Sequence, residues 1–77
     1  MANAKKVLNN VSRRSDDSDI RHICRLVAAG VSSDAVIRDE HLILISDMVG
    51  EAAEAHAEDR PTATRIAAII QVINGLE

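Results

Sequence analysis

Apolar residues recur at helical spacing along most of this chain. The first clear segment places four of them at the i, i+3, i+4 and i+7 positions of one helix face: Ile20, Ile23, Cys24 and Val27. Asp17 or Ser18 is suited to cap the start of this segment, and Gly30 is suited to a left-handed stop at its end. The pattern therefore predicts a first helix over residues 18–29.

A long central helix is predicted next. Ser32 or Ser33 is suited to cap it, and helical spacing can continue to about Asp59. Asp39 is suited to cap a separate restart, so a break near this residue is left open. The segment contains "HLILI", the most hydrophobic stretch of the chain.

A third helix is predicted over residues 61–74. Pro61 suits the first helical position because no backbone donor is needed there, and Gly75 is suited to the C-terminal stop. No strand-like alternation persists beyond a few residues. The expected fold class is all-α, a small three-helix unit with a long central helix.

The N-terminal segment has a different composition. Residues 1–17 mix charged residues, Asn and Ser with few apolar residues, which is typical of a flexible chain end. We therefore expect a flexible basic arm over residues 1–17, with a turn of helix at most, and a single helical domain over residues 18–77.

The apolar face of the central helix is unusually wide. On a helical wheel it spans roughly 200°, against the stripe of about 100° that a one-sided surface helix needs. Because this face and that of the third helix exceed what three helices would bury in a monomer, we expect a dimeric helical bundle. The residues predicted to self-associate are Leu42, Ile45, Val49, Gly50, Ala53, Ile69, Val72 and Leu76.

Gly50 has two interpretations. A glycine inside a helix costs up to about 1 kcal/mol relative to alanine, so it often has a reason. It lies in a strip of small side chains formed by Ser46, Gly50, Ala53 and Ala57. The strip would let a second backbone approach closely, or the glycine is simply tolerated; the sequence leaves both interpretations open.

Acidic residues repeat on the other side of the central helix. They are Asp47, Glu51, Glu54 and Glu58, and no basic residue lies among them. A solvated helix surface accounts for their position opposite the centre of the apolar face. The alternative is a binding face for a basic partner, since like charges at i+4 spacing repel one another by a few tenths of a kcal/mol.

Composition excludes several classes of function. The 77 residues contain no Phe, Tyr or Trp, so neither base-stacking platforms nor aromatic hot spots are available. The single cysteine, Cys24, excludes an internal disulfide and is interpreted as a small buried apolar side chain. No signal peptide or membrane span is recognisable, so we expect a cytoplasmic protein with no membrane partner.

Charge is distributed unevenly along the chain. Residues 1–25 carry six bases against three acids, a net charge of +3, and residues 26–77 carry three bases against nine acids, a net charge of −6. The basic residues that would serve a nucleic-acid-binding arm are Lys5, Lys6, Arg13 and Arg14. Because basic arms bind phosphates, a DNA-binding transcriptional regulator or antitoxin-like protein is the alternative function.

Catalytic machinery is not recognisable in the sequence. His22, His41 and His56 lack a second His or Cys at i+3 or i+4, and no phosphate-binding loop or nucleophile motif is present. We therefore expect no enzyme activity, no cofactor and no metal. The leading interpretation is a noncatalytic helical regulatory protein that forms a homodimer and binds another protein.

Overall fold

The computed structural model of the chain describes residues 2–75. These residues form four α-helices: α1 (Ala4–Arg14), α2 (Ser18–Gly30), α3 (Leu42–Ala57) and α4 (Ala63–Asn74). Two short strands, β1 (Ala2–Asn3) and β2 (Val36–Ile37), pair antiparallel, and one 3-10 turn (Asp39–His41) precedes α3. The predicted helical class is confirmed, although four helices and a small sheet replace the three helices expected.

Helix α2 lies at the centre of the molecule, where it packs against α1, α3 and α4. The buried residues of α2 are Ile23, Cys24, Val27 and Ala28. They have the i, i+1, i+4, i+5 spacing of a helix stripe, and Ile23 and Val27 are completely excluded from solvent. The hydrophobic core therefore forms around one helix, which agrees with the apolar spacing that the sequence predicted for it.

The start of α2 is capped as predicted. The Asp17 carboxylate accepts hydrogen bonds from the backbone N–H groups of Asp19 at 2.8 Å and Ile20 at 3.2 Å. The predicted left-handed stop at Gly30 is wrong, because this residue is the last of the helix and Gly75 is the glycine with positive φ in the described residues. A Cβ on Gly30 would lie 3.2 Å from Cγ1 of Ile70, so the glycine makes room for α4.

The first helix, α1, is a correction to the predicted flexible arm. The buried residues of α1 are Ala4, Leu8 and Ser12, which share one face at i, i+4 and i+8 spacing. The side-chain oxygen of Asn3 caps the helix by accepting from Lys6 N–H at 3.1 Å. This face is covered by α2, so a narrow stripe of one leucine and two small residues is enough to hold the helix in place.

The predicted central helix is also shorter than expected. Residues 36–37 pair with residues 2–3 instead of forming helix, with Ala2 opposite Ile37, and Ile37 is buried. Ala4 N–H donates to Ala35 C=O at 2.9 Å and extends this contact. Helix α3 begins only after the 3-10 turn that starts at Asp39, so the break that the sequence left open near this residue is observed.

The last helix agrees well with the sequence prediction. Helix α4 ends at Asn74, and Gly75 follows in the left-handed conformation with φ of 74°. Between α3 and α4 the chain reverses at Asp59, which has φ of 60°, and Arg60 N–H donates to Ala55 C=O at 2.8 Å. Within residues 2–75, every helix is too short or too polar to cross a membrane.

Ile69 provides a test of this core. Its side chain is fully buried on α4. Ile69→Ala should lower the free energy of unfolding by about 2–5 kcal/mol, because it leaves a cavity in a packed core. Urea denaturation of dilute protein would measure this. The matched control is Ile43→Ala, which removes the same atoms from a side chain that is 78% exposed and should change stability by less than about 0.5 kcal/mol. Equal losses for the two variants would contradict the described core.

Candidate interaction surfaces

The residues predicted to self-associate are divided between the core and the surface. Those buried in the core of the chain itself are Ile45, Val49, Ala53 and Ile69. Val72 is half-buried, whereas Leu42 and Gly50 are exposed. Leu76 lies outside the described residues. Buried side chains cannot reach another molecule in the folded state, so any interface on α3 has to use other positions.

An exposed aliphatic cluster lies at the start of α3. It consists of Leu42, Ile43 and Leu44, whose side chains are 44%, 78% and 47% exposed. Successive helix residues are about 100° apart, so these three side chains cover more than half of the helix circumference while Ile45 enters the core. The sequence prediction included Leu42 but missed Ile43, which the wheel did not place on the apolar face.

Gly50 is open to solvent on α3. A Cβ built on it would meet no atom within 4 Å, so nothing in the described chain requires a glycine there. Ser46 and Ala57 of the small-residue strip are exposed, whereas Ala53 is buried. The strip therefore does not form one continuous exposed surface.

The acidic stripe, defined as Asp47, Glu51, Glu54 and Glu58, is exposed along its whole length. Its first member, Asp47, lies one turn beyond Ile43 and Leu44, so it borders the aliphatic cluster. Its last member, Glu58, pairs with Arg60, with 2.7 Å between Oε1 and Nη2. An apolar surface and an anionic surface therefore meet at Asp47.

The four predicted arm cations belong to α1 and point to different sides of it. Lys5 Nζ donates to Ala28 C=O at 2.6 Å, which places a cation at the negative C-terminal end of α2. Lys6 and Arg13 are exposed and line one groove, and Arg14 is exposed and lines another. Packing against α2 has therefore separated residues that a mobile arm would present together.

A basic groove of about 580 Å³ runs between α1 and α2. The residues that line it are Lys6, Asn9, Asn10, Ser12, Arg13 and Arg25. Within it, an Arg13 Nη2–H donates to Asn10 Oδ1 and orients the guanidinium group. The sequence prediction did not group Arg25 with these cations, because Arg25 belongs to α2. Its position within α2 does not indicate that it lies next to α1.

A valine surface lies on the neighbouring face of α1. A shallow groove of about 410 Å³ is lined here by Val7, Asn10, Val11, Arg14 and Ser15. Val11 is 40% exposed, and Arg14 lies one turn beyond it. The valine surface therefore resembles the start of α3 in its apolar centre but has a basic border instead of an acidic one.

Two histidines and an aspartate meet where α2 begins and α3 ends. The rings of His22 and His56 stack with centroids 4.2 Å apart and planes inclined by 26°. His56 Nδ1 lies 2.6 Å from Asp19 Oδ1 and donates to it. No group of three or more His, Cys, Asp or Glu side chains in residues 2–75 is arranged to hold a metal ion. The cluster therefore holds two helix ends together, a pairing that the sequence did not reveal because the two histidines are 34 positions apart.

A recess of about 380 Å³ lies between β2, α3 and α4. Apolar side chains, including Ile37 and Ile45, form part of its lining, and Ser32, Asp34 and Arg38 are among its polar residues. A hydrogen bond from the Ser32 hydroxyl lowers the pKa of the Asp34 carboxyl, with a smaller effect from the backbone. This interaction keeps Asp34 anionic and stabilises the turn before β2.

No family model, curated protein or solved structure matches this chain.

Gly50→Ala tests whether the glycine is needed within one chain. Alanine should raise the free energy of unfolding by about 0.5–1 kcal/mol, because the helix gains a better former and the added methyl group meets nothing. Thermal unfolding of dilute protein should show a midpoint several degrees higher, on the order of 4–8 °C per kcal/mol. A lower midpoint would contradict the open space described at this position.

Cys24 provides a chemical test of the core. Its side chain is only 1% exposed, and this burial raises the pKa of the thiol. A raised pKa means less thiolate at pH 8 than a free thiol would have, so a disulfide reagent should react far more slowly with native than with urea-unfolded protein. Absorbance of the released thiolate follows the reaction. Equal rates in the two states would contradict the burial of Cys24.

Proposed function

We propose that this chain is a noncatalytic interaction protein that self-associates and binds another protein through its α3 surface. The observation that supports this most strongly is the aliphatic cluster, three successive large side chains that are all exposed. Single exposed apolar residues are ordinary on protein surfaces. Three in succession at a helix start, with an acidic border, are typical of an interaction surface.

Complete burial of an exposed Leu or Ile side chain is worth about 1.5–3 kcal/mol, at roughly 25 cal/mol per Å² of apolar surface. At 77 residues the chain is near the size at which a single core becomes marginal. Covering the aliphatic cluster would therefore add a substantial fraction to the stability of so small a protein.

The proposed occupant of this surface is the valine surface of a second copy. Both surfaces have an apolar centre, and their charged borders are opposite: Asp47 beside the cluster, Arg14 beside the valines. Contact between identical acidic stripes would instead bring like charges together. Charge complementarity thus favours α1 of one copy on α3 of another over a symmetric α3 pair.

The order of residues along the two helices is also compatible. On α1 the valines precede Arg14, and on α3 the aliphatic cluster precedes Asp47. Arg14 lies three positions after Val11, which corresponds to about 4.5 Å along a helix. Asp47 lies four positions after Ile43, which corresponds to about 6 Å. Two helices packed in the same direction therefore align valine with isoleucine and base with acid.

The contact is heterologous, because it joins different surfaces of two copies. A single contact between two copies forms a dimer and leaves one surface of each kind unoccupied. In this proposal the free aliphatic cluster and acidic stripe of such an assembly bind another protein with an apolar, basic surface. Regulation by competition for α3 follows from the shared surface.

Charge reversal with mixing tests the proposed contact. Arg14→Glu and Asp47→Arg should each weaken self-association by about three- to tenfold, since an attraction becomes a repulsion. Mixing the two variants should recover association, because the altered α1 then meets the altered α3. Light scattering across a concentration series measures all three samples.

The control is Arg65→Glu, which makes the same charge change at an exposed residue of α4. It should leave association unchanged, and circular dichroism should show equal helix content in all variants. A wild-type mass of 8.3 kDa at every micromolar concentration would exclude self-association. A larger wild-type mass that is insensitive to both reversals would retain self-association and exclude the α1–α3 contact.

A further inference from the structure

The basic groove between α1 and α2 is not used by the proposed self-association. Its cations Lys6, Arg13 and Arg25 line a different groove from the valine surface, and the two linings share Asn10. Lys6, Arg13 and Arg25 are all exposed, and no acidic side chain is among the described residues that line the groove. A local excess of positive charge is therefore open to solvent on a chain whose net charge is −3.

We infer that this groove binds the phosphate backbone of a nucleic-acid duplex. Lys, Arg, Asn and Ser side chains supply most hydrogen bonds to phosphate and sugar in protein–DNA complexes, and these four residue types make up the whole lining. The three cations supply charge. The amides of Asn9 and Asn10 add donors beside them.

The spacing of the cations suits an extended polyanion better than a single phosphate. Arg13 lies seven positions after Lys6 on α1, which corresponds to about 10.5 Å along the helix axis. Arg25 adds a third cation from α2, across the groove. Cations this far apart contact different phosphates, as a backbone with a phosphate every few ångströms on each strand allows.

A duplex fits the groove better than a single strand or an acidic protein does. Single-strand binding without base recognition depends on aromatic rings that stack on bases, and the chain has no aromatic residue. Protein interfaces have an apolar centre, whereas every side chain that lines this groove ends in a polar or charged group. The acidic stripe would repel phosphates, but it lies on α3. Helix α2 packs against both α3 and α1 and separates the stripe from the groove.

Salt-dependent binding tests this inference. Fluorescence anisotropy with labelled DNA and RNA duplexes of about 20 base pairs should show binding at low salt. Three phosphate contacts give a log–log slope of about −2.7 per bound chain, equivalent to about fortyfold weaker binding between about 50 and about 200 mM salt. Each of Lys6→Ala, Arg13→Ala and Arg25→Ala should reduce the size of that slope by about 0.9.

Arg65→Ala is the matched control, since it removes one exposed cation from α4 and should leave the slope unchanged. Circular dichroism should show that the three groove variants remain folded. Loss of binding to either duplex in the combined triple variant would support the inference, and the tighter duplex would identify the source of the phosphates. Absence of binding at low salt, a wild-type slope in the triple variant, or equal competition by polyglutamate would overturn it.

Discussion

The packing of α2 against the other three helices is the contact on which the rest of the structure depends. One stripe of this helix supplies the two fully buried side chains Ile23 and Val27, and the small side chain of Ala28 lies beside them. Gly30 continues the close approach at the end of the helix, where Ile70 of α4 occupies the space that a Cβ would need. Because no aromatic ring is available to fill gaps, the core relies on close contact between small and branched aliphatic residues.

This arrangement also determines what remains on the surface. Helix α1 and helix α3 both pack on α2, so each turns its outer faces to solvent on its own side of the molecule. The cations of residues 5–14 lie on one of these helices and the acidic stripe on the other. The charge asymmetry of the sequence thus becomes a separation in space, which gives one small protein two surfaces of opposite sign. Different partners can bind to these two surfaces without competing for the same side chains.

Local signals allowed much of the helical structure to be predicted. The Asp17 cap, the Gly75 stop and the apolar spacing of α2 and α4 depend on residues close together in sequence. Helix α1 was missed because its buried stripe includes Ala4 and Ser12, whose small or polar side chains do not distinguish a covered face from a solvated one. The strand pair was missed because two residues per strand give no periodicity.

The surfaces were predictable only in part, for a related reason. A helical wheel shows which residues share a face but not which face another helix covers. Ile45 and Val49 were therefore assigned to an interface when they form the core, and the exposed Ile43 was overlooked. Arg25 could not be grouped with Lys6 and Arg13 before the packing of α1 on α2 was known.

The pairing of β1 with β2 has a consequence for the order in which the chain acquires its structure. Ala2 and Asn3 meet Ile37 and Val36, so their partners leave the ribosome more than 30 residues later. During synthesis, α1 and α2 can already form a helical hairpin, whose contacts are close in sequence. The N-terminal end of α1 acquires its strand partner only afterwards. In the nascent chain, the backbone groups of β1 therefore have no strand partner until β2 has been synthesised.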